Sequence, residues 1–149
     1  MAELHFYHLT RRTLEQALPE LLEKSLAKGW RAVVLTASGE RAEVLSQHLW
    51  TYKPDGFLPH GTAKDGKPAE QPVWLTAEDE RPNGAQVLFQ TDGAASARLA
   101  EYERICDLFD GTDPDAVSAA RKRWKAAKDE GHALTYWQQN ERGGWEKKA

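Results

Sequence analysis

The sequence predicts an α/β domain built on a parallel sheet. Three observations carry that expectation. Apolar strand-like runs and helix-period runs alternate through the first 52 residues. The run Ala32-Val33-Val34-Leu35 is continuously apolar, as a strand buried on both faces requires. The alternation places a crossover helix between consecutive strands, the arrangement that makes neighbours parallel.

Leu4-His5-Phe6-Tyr7-His8-Leu9 reads as the first strand, closed by Thr10-Arg11-Arg12. Thr13 can cap the helix that follows. Leu14, Leu18, Leu21, Leu22 and Leu26 recur at helical spacing, Pro19 is a weak point, and Lys28-Gly29 is a stop. After the second strand at 32–35, Ser38 starts a helix through Ala42, Val44, Leu45 and Leu49 that ends near Trp50-Thr51-Tyr52. Residues 54–71 hold three Pro and three Gly around one apolar island, Phe57-Leu58-Pro59-His60, and read as a loop with a docked hydrophobic turn. Val73-Trp74-Leu75-Thr76 and Gln86-Val87-Leu88-Phe89-Gln90 are further strands. Residues 102–109 suit either a strand or a helix, since periodicity alone does not decide. A helix over 115–128 opens at Asp113 or Pro114 and stops at Gly131; 132–137 is a short apolar close, and 140–149 reads as a frayed tail.

The 149 residues suffice for one domain with its own core, without disulfide or metal staples. The single cysteine, Cys106, excludes an internal disulfide framework and fits a reducing compartment. No apolar run approaches the ~20 residues of a membrane span, and the first residues do not read as a secretory signal. A cytoplasmic location without membrane contact is expected. The net charge of −3 is unevenly spread. Residues 1–115 carry 12 Lys and Arg against 19 Asp and Glu, while residues 116–149 carry 8 against 4. An acidic body is a poor general binder of nucleic acid, whereas a local basic patch suits a small acidic partner.

Several near-motifs fail on chemistry. Gly61-Thr62-Ala63-Lys64-Asp65-Gly66-Lys67-Pro68 approaches a phosphate-binding loop, but Pro68 replaces the required hydroxyl and a strand follows instead of a helix. Asp107 and Asp110 are three residues apart, not the two that aspartyl phosphotransfer uses, and suit a turn leading into a helix. His5 and His8 face opposite sides of a strand and cannot share a metal. Cys106 lies in an apolar run and reads as a buried inert thiol. No catalytic residue, metal ligand or cofactor is expected.

Two features rise above this background. On the helix Ser118-Ala119-Ala120-Arg121-Lys122-Arg123-Trp124-Lys125-Ala126-Ala127-Lys128, residues three and four apart share a face. Arg121, Trp124, Lys125 and Lys128 form one stripe with Val117 at its start. The alanines at 116, 119, 120 and 127 allow close packing on a sheet. An indole between cations suits a ligand offering both a carboxylate and an apolar side chain; the plain alternative is a solvated basic face. The second feature is Leu49-Trp50-Thr51-Tyr52 with Phe57-Leu58-Pro59-His60, aromatic anchors beside a loop. The alternative there is that Trp50 and Phe57 close the core.

These blocks, with the opening strand around Phe6-Tyr7, the strands Val73-Trp74-Leu75 and Val87-Leu88-Phe89 and the helix Arg121-Lys122-Arg123-Trp124-Lys125, resemble the chi subunit of bacterial DNA polymerase III nearly end to end. The middle block is the most specific part. The resemblance implies a single Rossmann-like domain over 1–139, with a mostly parallel central sheet, helices on both faces and no nucleotide site, followed by a flexible C-terminal tail at 140–149. It implies a non-catalytic connector within the clamp-loader complex. Such proteins grip the acidic, aromatic C-terminal tail of single-stranded DNA-binding protein and contact the psi subunit, or a helicase partner, through another surface; DNA is touched only indirectly. By position the tail site would use Arg121, Trp124 and Lys125, to which helix geometry adds Lys128 and Val117. Trp124 stands where the family often has tyrosine, which keeps the aromatic wall and loses the hydroxyl. The psi-facing surface would include Trp50, Phe57, Leu58 and His60. The rival from another class is a small α/β nucleotide-binding enzyme using 61–67.

Overall fold

A computed structural model describes residues 2–52, 58–142 and 144–148. Phe57 therefore lies outside the described residues. Seven strands form one sheet: β1 Glu3–Leu9, β2 Ala32–Leu35, β3 Val73–Thr76, β4 Val87–Thr91, β5 Arg104–Asp110, β6 Ala133–Gln139 and β7 Trp145–Lys147. Their spatial order is β3-β2-β4-β5-β1-β6-β7. All pairings are parallel except β6 with β7. The helices are α1 Leu14–Ala27, α2 Gly39–Thr51 and α3 Pro114–Asp129.

Local chemistry fixes the helix ends. Thr13 and Gln16 form a reciprocal capping box at α1: the Gln16 amide donates to Thr13 Oγ1 at 3.3 Å and the Thr13 amide to Gln16 Oε1 at 2.9 Å. Ser38 Oγ accepts from the Arg41 amide at 3.1 Å, and Asp113 Oδ1 from the Asp115 amide at 2.9 Å with Pro114 next in line. Helix α1 runs through Pro19, which packs in its buried face. Gly131, at φ 86°, releases the chain from α3 into β6.

The sheet has a core on each face. Tyr7, Leu9, Val34, Phe89 and Leu108 meet α1 and α2 on one side. Leu4, Phe6, Val33, Leu88 and Ile105 belong to the core on the other, to which α3 contributes its buried Ala120 and Ala127. Helices thus cover both faces. Tyr102 to Phe109, ambiguous in sequence, resolves as β5, because the segment lies between β4 and β1 with both faces covered. Residues 140–149, read from sequence as a frayed tail, carry β7: Gln139 opposes Trp145 and Trp137 opposes Lys147. Trp145 packs edge-on against Tyr7 at 5.0 Å. A lone three-residue strand gives little signal in sequence; its partner is what makes it a strand.

Candidate functional site

Helix α3 and the strand after it form a recess on the sheet flank. Trp124 and Tyr136 are its aromatic walls, with Phe109, Val117 and Ala120 beneath and Arg121 at the rim. The recess has a volume of about 240 Å³. Trp124 meets Phe6 edge-on at 5.3 Å and Tyr136 at 5.8 Å. The indole is therefore half-buried, not the exposed plate among cations that the helix stripe suggested. The cause is the small Ala120 and Ala127, which let the helix settle close to the sheet so that Trp124 reaches Phe6.

The stripe is divided by this placement. Arg121, Trp124 and Val117 share the recess. Lys125 and Lys128 are exposed on the same flank but outside its lining. Arg123, two residues from Arg121, points elsewhere: its Nε and a terminal nitrogen donate to Asp107 Oδ2 at 2.6 Å and Oδ1 at 2.9 Å. Gln90 Nε2 donates to the same carboxylate at 3.0 Å. Burial, the largest cause, holds the Asp107 carboxyl above its ordinary value, and the Arg123 guanidinium opposes that shift. One arginine of the basic run is thus a structural tie to β5, and the other lines the recess.

Three residues of the site were not read from sequence. Tyr136 and Phe109 come from β6 and β5, and His8 from β1. The His8 ring hydrogen-bonds the Tyr136 hydroxyl through Nδ1 and lies against Gly111. Burial, the largest cause, holds His8 below its ordinary value, and Arg121 pushes it the same way. Burial raises Tyr136, while Arg121 opposes that shift. Both groups thus feel the Arg121 charge. The period-2 alternation of Leu134 and Tyr136 was the available signal, but only the sheet puts Tyr136 beside a helix residue twelve positions earlier.

The second predicted surface is mixed. Trp50 is 50% exposed at the end of α2, with its ring 4.6 Å from that of His60. Leu58 and His60 are buried. The His60 ring nitrogens face the Leu58 carbonyl at 2.6 Å and the Ser46 carbonyl at 3.0 Å, which pins the loop to α2. Leu58 and His60 therefore seat Trp50 and present little surface of their own.

The near-motifs have structural uses. Residues 61–67 form a turn in which Asp65 Oδ2 accepts from the Thr62 amide at 2.9 Å, and only a three-residue helical turn, Pro68–Glu70, follows. Asp110 Oδ1 accepts from the Thr112 amide at 2.9 Å, closing the turn into α3. Burial pushes the Cys106 thiol up to about 12. Where β1 leads to one face and β5 to the other, a crevice of about 700 Å³ opens. The amides of Thr10, Arg11 and Arg12 beside it are taken: all three donate to Gln139 Oε1, at 2.9, 2.8 and 2.9 Å.

Fold and site together define a doubly covered α/β domain with an apolar, arginine-rimmed recess on one helix flank. The chain belongs to the family described as DNA polymerase III chi subunit, HolC, which it matches over residues 1–135, and is thus of the replication accessory subunit class. It is 34% identical over 108 residues to a Rickettsia prowazekii protein named "Probable DNA polymerase III subunit chi", covering 70% of this chain and 66%, just under two thirds, of that relative. It is 24% identical over 119 residues to the DNA polymerase III subunit chi of Pseudomonas aeruginosa, covering 80% of this chain and 82% of the relative.

Proposed function

We propose that this chain is a non-catalytic connector that links the replicase clamp loader to single-stranded DNA-binding protein by receiving that protein's acidic C-terminal tail. The observation that carries the reading is the recess between Trp124 and Tyr136 with Arg121 at its rim. An apolar side chain of the tail enters the recess, and a carboxylate pairs with the guanidinium. Lys125 and Lys128, exposed on the same flank, attract the remaining acidic residues. A charge-assisted hydrogen bond contributes about 1.5–3 kcal/mol, offset by ordering of a disordered tail, so affinity is modest and salt-sensitive. Many tails on one coated strand raise the effective concentration.

A psi subunit, or a helicase partner, docks on the exposed Trp50, with Leu58 and His60 as its support and Phe57 nearby in sequence. The chain acts in the cytoplasm and reaches DNA only through its partners. A nucleotide-binding enzyme is the weaker reading. Residues 61–67 lack a following helix of useful length, and Gln139 occupies the amides of Thr10, Arg11 and Arg12 in the turn ahead of α1 that a phosphate at the crevice would meet.

The test is titration calorimetry with an acidic tail peptide ending in a carboxylate. Arg121→Ala weakens binding by roughly 10- to 150-fold and Lys125→Glu weakens it as well, while circular dichroism stays unchanged. Unaltered affinity in both variants removes the site.

A further inference from the structure

A second cavity, of about 280 Å³, lies on the opposite face of the sheet, beside the C-terminal half of α1. Its walls are aromatic: Tyr7 of β1, Trp30 after α1, Trp137 of β6 and Trp145 of β7. Two of these, Trp137 and Trp145, stand on the paired strands β6 and β7 and lie outside the residues 1–135 matched by the family. Trp137 is held in place by donating Nε1–H to His5 Nδ1 at 2.9 Å.

Walls of this kind commonly receive a cation. Here the cations are already present and belong to the protein. Lys28 Nζ sits 4.7 Å from the centroid of the Trp30 ring and the Arg104 guanidinium 5.4 Å from it. Both line the cavity, as does Lys24. A cationic occupant would meet three like charges. Arg104 also carries an unmet demand, since its Nε is buried with no acceptor among the described residues. The nearest carboxylate, Glu3, lies 3.4 Å from a terminal nitrogen of Arg104 and is shared with His5 Nε2 at 2.6 Å.

We propose that this cavity is a second ligand site, for an aromatic carboxylate whose ring stacks among Trp30, Trp137 and Trp145 and whose anionic end pairs with Arg104 and Lys28. The volume admits one ring and a short acid arm, as a free small molecule or as the last residue of an acidic peptide. The site is independent of the α3 recess, which lies across the sheet.

The experiment titrates indole-3-propionate into the full chain and follows the indole N–H resonances by NMR, assigned with single Trp→Phe variants. Saturable shifts of Trp30, Trp137 and Trp145 are expected, with Trp124 unmoved. The neutral amide, indole-3-propionamide, binds about tenfold or more weakly, the loss of one charge-assisted contact. Arg104→Gln lowers the affinity for the acid to a similar degree and leaves that for the amide unchanged. A short acidic peptide ending in tryptophan that binds more tightly than the free acid identifies a peptide as the source, and weaker binding identifies a small molecule; either supports the site. Shifts confined to Trp124, equal binding of acid and amide, or no saturable change at millimolar probe overturns the proposal.

Discussion

Arg121 and Arg123 stand two residues apart on α3, and the structure assigns them opposite consequences. Arg121 is exposed at the rim of the recess. Arg123 makes a two-pronged contact with Asp107, whose side chain is 2% exposed. Removing Arg123 leaves a buried carboxylate with Gln90 as its remaining side-chain donor. Breaking one half of a buried pair typically costs about 3–5 kcal/mol. At about 2–4 °C per kcal/mol for a chain of this length, Arg123→Ala lowers Tm by roughly 6–20 °C. Arg121→Ala shifts stability by no more than about 0.5 kcal/mol, as expected for an exposed position. Its loss instead weakens an acidic peptide by about 1.5–3 kcal/mol, a factor of roughly 10 to 150. The assay pairs urea unfolding with calorimetry on both variants, measured where each is fully folded. A double variant, Arg123→Met with Asp107→Leu, recovers much of the stability, since the orphaned charge is what costs. Equal stability of the two single variants, or loss of peptide binding in folded Arg123→Ala comparable to that in Arg121→Ala, refutes the division of labour.

Three further outcomes follow from the geometry. A Cβ at Gly111 would lie 1.9 Å from His8 Cδ2 and 2.8 Å from the Leu9 carbonyl oxygen. Gly111→Ala therefore displaces His8, costs about 1–3 kcal/mol in urea unfolding, and weakens tail-peptide binding by releasing Tyr136. His5 and His8 are both held below their ordinary values, first by burial. The unfolded chain protonates them near pH 6.5 and the folded chain only at lower pH, so stability is full above about 6.5 and declines as pH falls through that window. Protonated His5 would also turn an N–H toward the Trp137 N–H it now accepts. Tm measured from pH 7 to 5 falls, and the slope flattens in His5→Gln. A second decline comes lower, as Glu15, Glu20 and Asp110, all held below the usual carboxylate range, take up protons. Trp50→Ala changes stability by less than about 1 kcal/mol, because the ring is half exposed, yet abolishes binding of the partner subunit in a pull-down with tail binding intact.

The sequence by itself determined the class of fold and the order of its first elements. Thr13, Ser38 and Asp113 announce the helices because capping is local chemistry, complete within three residues. Ala32-Val33-Val34-Leu35 announces a central strand because a strand covered on both faces favours apolar side chains at every position. The basic stripe with Trp124 was legible for the same reason: helical spacing alone puts Val117, Arg121 and Trp124 on one flank. The tertiary structure decided everything that depends on which strand lies beside which. Segment 102–109 became β5 because β4 and β1 flank it. Residues 145–147 became β7 because β6 offers an edge. Arg123, which helical spacing places off that stripe, became a structural tie because Asp107, sixteen residues away, is buried beneath it. Tyr136 and His8 joined Trp124 through parallel register, which places His8 and Tyr136 on adjacent strands across 128 residues of chain. Spacing along a chain specifies a face of one element; only packing specifies what that face meets.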